Sequence, residues 1–157
     1  MAIPITGQGK TVTTIIVPVA GGGEYRGNFT VGLYTNGPAA NGDAGAGGAP
    51  AKQIVTANAV AAEASGYCCG QIVTVPIPST KLNKGTLYWI VESGIRTYRE
   101  KNEVAWLGED TDYTGDTKPL FQYHQYLRED GYTQYDYTSP WESPGSDNWT
   151  EPAAEVE

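Results

Sequence analysis

The feature that most constrains this chain is a succession of short β-branched and aromatic runs over residues 10–106, cut at close intervals by Gly, Pro and Asn clusters. Punctuation at that spacing leaves almost no room for helical periodicity and predicts an antiparallel sandwich or barrel. The run 11–17 is β-branched throughout, and Pro18 followed by Gly21, Gly22 and Gly23 is expected to end it. In 28–34 the apolar Phe29, Val31 and Leu33 alternate with smaller or polar residues, so one face packs inward. Residues 36–50 are mostly Gly, Ala, Pro and Asn, which predicts a long flexible loop able to bury almost nothing. Residues 53–64 begin β-branched and end alanine-rich, giving strand and then turn. In 71–78, Val73, Val75 and Ile77 oppose Ile72, Thr74 and Pro76, with Pro76 pointing to an edge or a strand end. The run 86–92 is apolar on both faces, which suits a central strand with Trp89 as an anchor. Residues 102–107 read as the last strand of the sandwich.

Beyond Gly108 the composition changes. Residues 1–99 carry seven basic and four acidic groups, whereas residues 100–157 carry three basic and fourteen acidic. Six of the eleven tyrosines and two of the four tryptophans also lie in this last third, with few aliphatic residues to build a core. An acidic tail that stays unfolded is usually poor in aromatics. This one is predicted to be an extended arm that orders against a partner or neighbouring subunit, with Tyr113, Tyr123, Tyr126, Tyr132, Tyr135, Tyr137, Trp141 and Trp149 as candidate partner-binding anchors. Folding back onto its own sandwich is the competing arrangement. The expected organisation is therefore an all-β antiparallel sandwich over 1–107 followed by an acidic, aromatic-rich arm over 108–157.

Composition removes several functional classes. A net charge of -8 works against phosphate-backbone binding, which needs lysines and arginines to displace counterions, so nucleic acid is not an expected partner. One histidine and two adjacent cysteines, Cys68 and Cys69, cannot by themselves assemble a multi-histidine metal centre or a disulfide scaffold, and no metal or cofactor is expected. The first six residues lack a basic segment followed by an apolar one, and no run approaches the about 18 apolar residues of a membrane span. Cytosolic synthesis and a soluble product, with no membrane partner, are the expectation.

The motifs that suggest chemistry are each incomplete. Gly7-Gln8-Gly9-Lys10-Thr11 has the end of a phosphate-binding loop, but Pro4 stands where that motif needs glycine, and a strand rather than a helix should follow. Residues 110–116 are rich in carboxylates and hydroxyls like a calcium loop, yet Phe121 occupies the position of the bidentate glutamate. His124 lies among aromatics with no serine elbow or cysteine nucleophile beside it and reads as a packed or hydrogen-bonding histidine. Of the eighteen acids, Glu63 and Glu92 fall near predicted sheet residues, which is no signature of a glycosidase pair. Asn28-Phe29-Thr30 and Asn148-Trp149-Thr150 match the glycosylation sequon without an accompanying secretory signal. The chain is accordingly read as a non-enzyme. Exposed Tyr and Trp could instead stack on sugar rings, but Tyr98, Tyr132, Tyr135 and Tyr137 lie in sequence read as irregular, which favours a protein interface over a sugar platform.

Taken together, residues 28–35, the Gly-Pro-rich loop, Val73-Thr74-Val75-Pro76 and residues 85–91 resemble the jelly-roll-like sandwiches of bacterial surface modules and tailed-phage structural proteins. With its acidic, aromatic arm the chain most resembles a phage capsid decoration, or cement, protein. That resemblance implies a virion protein made in the host cytoplasm and bound to the capsid exterior, the major capsid protein as partner, and a homo-oligomer, with a trimer favoured. The alternative it leaves open is a carbohydrate-binding or adhesin module.

Overall fold

In a computed structural model the described residues are 2–21, 27–38, 48–61, 71–94, 104–106, 108–109, 124–128, 134–138, 151–152 and 154–157. They are all-β and antiparallel. β1 (Ala2–Thr6), β6 (Leu87–Gly94), β3 (Gly27–Gly37) and β4 (Ala49–Ala61) form one sheet in that order. The other is built on β2 (Thr11–Gly21), with β5 (Gln71–Lys81) along one side. β7 (Val104–Trp106) and β12 (Glu155–Val156) also pair with β2. Sheet β1-β6-β3-β4 lies over the β2 sheet with β4 above β5, and the aliphatic residues between them make a sandwich.

The alternation read from the sequence builds this core directly. Phe29, Val31 and Leu33 of β3 and Ile90 of β6 face Val12, Ile15, Val17 and Val19 of β2 and Val75 and Ile77 of β5. Ile72, on the opposite face of β5, is 75% exposed. The central strand is β6, between β1 and β3, and Trp89 at its middle is fully buried.

Four local expectations change. β1 pairs with β6 from Ala2↔Val91 to Thr6↔Leu87, although sequence reading assigned no strand to these residues. Pro18 does not end its strand: β2 continues to Gly21, with Pro18 registered against Ile72 of β5. On the far side of β2 the two short strands stop either side of Val17-Pro18, so neither ladder needs a donor from the proline. The presumed loop 36–50 yields ordered strand at both ends, and Ala49 is buried. Finally, the chain returns to the sandwich after the acidic stretch. Glu155 and Val156 pair with Ile16 and Ile15, while Ala154 and Val156 pack on the core. At the bulge between Val12 and Thr14, the Thr13 and Thr14 N–H groups donate to the Glu157 carbonyl at 2.5 and 2.9 Å, and Glu157 N–H donates back to Thr14 at 3.1 Å.

The acidic stretch is therefore rooted at both ends. β7 lies against residues 19–21 of β2 and β12 against residues 15–16, about 10 Å away at strand rise. Between these roots, β8 (Gly108–Glu109) pairs with β11 (Glu151–Pro152), putting Glu109 opposite Glu151. β9 (His124–Arg128) and β10 (Gln134–Thr138) pair with each other as an antiparallel ribbon.

Candidate functional site

On the face of the four-stranded sheet turned away from the core, register sets Pro4, Trp89, Tyr34 and Gln53 in one row across β1, β6, β3 and β4. Trp89 packs with Ala2, Ala49 and Val91, and Tyr34 closes against them half-buried. The indole Nε1–H donates to Asn36 Oδ1 at 2.9 Å, and the Tyr34 hydroxyl donates to Gln53 Oε1 at 3.3 Å. Gly48, at φ +131°, lies so close to the Asn36 amide that a Cβ would overlap it.

Two irregularities of β4 position this cluster. The β3–β4 register slips once between Leu33 and Tyr34 and again before Asn36, so β4 carries extra residues in both places. At the second slip the Lys52 N–H is taken by Thr35 Oγ1 at 3.1 Å. The first slip brings Gln53, rather than Ile54, opposite Tyr34. Sequence reading placed Asn36 and Ala49 in a loop, and nothing local in the sequence announces that they flank a tryptophan 53 residues beyond Asn36.

A second unusual group is Glu92. By alternation with Tyr88 and Ile90 it sits on the core side of β6, opposite Val31, and it is only 5% exposed. Burial raises its pKa from the usual carboxylate range to about 7, opposed in part by the positive amino terminus. Glu63, the acid that sequence reading set beside it, lies outside the described residues.

The phosphate-loop fragment has a structural use. Gly7 is pressed against the turn before β6, where a Cβ would overlap the Asn83 carbonyl. Its N–H donates to Thr86 O at 2.8 Å and its carbonyl accepts from Gly85 N–H at 2.8 Å, and the strand β2 follows. Phe29 of the first sequon is a core residue.

Of the candidate partner-binding residues, Tyr126 lies on β9 opposite Asp136, while Tyr135 and Tyr137 lie on β10 opposite Leu127 and Gln125. Tyr135 and Tyr137 are thus in a strand, not in irregular chain. His124 is registered against Thr138. Tyr113, Tyr123, Tyr132, Trp141 and Trp149 lie outside the described residues, as do Tyr98, Cys68, Cys69 and residues 110–116. Among the described residues no His, Cys, Asp and Glu cluster could hold a metal, and no helix is long and apolar enough to cross a membrane. No known protein family, curated protein or solved structure matches this chain.

Proposed function

We propose that this chain is a structural protein that binds the exterior of a phage capsid shell and stabilises it through protein–protein contacts. The observation that carries the reading is the rooting of the acidic, aromatic-rich stretch at both ends on β2. A stretch tied to a rigid body at two points loses less conformational freedom on docking than a free tail, and it can pass load from a partner into the sandwich. Its tyrosines and tryptophans are the residue types that anchor interfaces, and its carboxylates suit a basic or polar ridge on the shell. In this reading the chain works as an oligomer on the major capsid protein, and Tyr126, Tyr135 and Tyr137 on the ribbon are the first anchors to test.

The register supplies a clean test. Because Glu109 and Glu151 are directly opposed, residues 110–150 can be replaced by an Asn-Gly turn without removing β12 from the sandwich. The shortened protein should keep its β-sheet circular dichroism and cooperative unfolding, yet fail to co-sediment with empty capsid shells that the full chain decorates stoichiometrically. Normal decoration by the shortened protein, or no decoration by the full chain, would sink the proposal. The sugar-binding alternative gains nothing from Trp89, which is fully buried and offers no ring face for stacking.

A further inference from the structure

The two strands at the β4–β5 side of the sandwich end their sheets differently. β5 has Pro76 and Pro78 among its outer residues, which lack the N–H needed for a ladder, and Lys81 at its end. β4 is thirteen residues long and pairs with β3 alone among the described strands. From Gln53 to Ala61 it has neither a proline nor a charge, in a protein of net charge -8. It also carries two of the exposed large aliphatic residues, Ile54 at 40% and Val60 at 52%.

We propose that the open edge of β4 pairs antiparallel with β4 of a second copy, about a two-fold axis at Ala57, giving one continuous eight-stranded sheet. A two-fold pair must set residue i against residue j with a constant sum. Centring on Ala57 puts Ile54 opposite Val60 of the second copy, and Thr56 opposite Asn58, on the outer face. Moving the axis to Thr56 would set Val60 against Lys52, and moving it to Asn58 would set Val60 against Thr56. Only the Ala57 register buries the two exposed aliphatics on each other while keeping like charges off the axis. The uncharged strip is where two copies of an acidic protein can approach at least electrostatic cost. The inference stands on the sheet edge and not on the capsid reading. Its two-fold symmetry also departs from the trimer that the sequence resemblance implies.

The test is the solution mass of the full chain by light scattering, with two variants altered at the same exposed positions. The wild-type protein should have twice the monomer mass of 16.8 kDa. Thr56→Lys with Asn58→Lys gathers like charges at the axis and should return the mass to that of the monomer. Thr56→Glu with Asn58→Lys sets opposite charges across the axis and should remain dimeric, with a mass that falls as salt is raised. Circular dichroism and thermal unfolding establish that both variants fold. Should the double-lysine variant not fold, Val60→Lys replaces it, with the same expected loss of the dimer. A monomeric or trimeric wild type overturns the proposal. So does a dimer indifferent to the paired lysines, or a folded Glu/Lys variant that is monomeric at low salt.

Discussion

The two faces of β6 bury side chains by different means. Toward the β2 sheet, Tyr88 and Ile90 enter an aliphatic interior supplied by a whole second sheet, which also takes in Glu92. Away from it, Trp89 and Val91 are buried just as deeply, but they pack with Ala2, Ala49 and Tyr34. One face is closed by a sheet and needs only shape and alternation. The other is closed by residues brought from β1 and from the first residue of β4, and its indole needs a specific amide, Asn36, to accept its N–H. The lesson is that a strand buried on both faces can have one face specified by periodicity and the other by long-range pairing.

Truncating one large residue on each face should break this comparison if one face is merely decorative. Phe29→Ala removes a fully buried ring from the sandwich interior, and Trp89→Ala removes the largest fully buried side chain among the described residues. Each should cost about 3–5 kcal/mol in denaturant unfolding. A loss under about 1 kcal/mol for Trp89→Ala would mean that the outer cluster collapses around the gap.

Glu92 sharpens the comparison on the inner face. Its folded pKa, at about 7, is above the usual 4.5, so the native state holds a proton that the unfolded chain has released between those values. The favourable contribution is complete below pH 4.5 and is lost as pH rises to about 7. At 1.36 kcal/mol per pH unit, the loss is at most about 3 kcal/mol. Glu92→Gln should therefore flatten stability between pH 4.5 and 7 and make the protein more stable than wild type at pH 8, by up to about 3 kcal/mol. Parallel pH profiles for the two proteins would show that the carboxylate ionises freely in place.

Gly32 tests how closely β3 and β4 must approach behind the outer cluster. An added Cβ would lie 2.5 Å from the Val55 carbonyl oxygen and 3.2 Å from Thr56 Cα, both backbone atoms that cannot swing aside. Gly32→Ala should cost about 1–3 kcal/mol by overpacking, readable as a lowered melting temperature.

How much of this was legible follows the same division. The inner face could be read because Phe29-Val31-Leu33 and Val73-Val75-Ile77 carry the period of a strand, and a period is local information. The strand at 2–6 escaped because five residues containing Pro4 make too short a run to show alternation. Pro18 misled because its tolerance depends on where neighbouring strands stop, a property of the sheet. The return of Glu155 and Val156 to β2 spans almost the whole sequence, and no local pattern marks it. The outer cluster was half legible: Trp89 stood out as an anchor, but Asn36 and Ala49 did not, since a polar and a small residue in a glycine-rich stretch look like loop. Glu92 looked like one acid among eighteen until its burial was known.

The smallest expected effects separate the two side-chain hydrogen bonds of the outer face. Both bonds join a ring on the sheet to an amide, and both amides belong to exposed residues, so a count of contacts would rank them equal. Burial of the ring ranks them differently. Asn36→Ala leaves the Nε1–H of a fully buried tryptophan without its acceptor, and the desolvation penalty should appear as about 1 kcal/mol or somewhat more. Tyr34→Phe removes a hydroxyl from a half-buried ring, and Gln53 can turn to water, so the change should stay within about 0.5 kcal/mol. Trp89→Phe in the Asn36→Ala background should then cost less than in the wild type, because the donor that Asn36 serves has been removed with it. Additive losses in that cycle would show that Asn36 stabilises the outer face through the close packing of its side-chain amide on Gly48 and not through the indole.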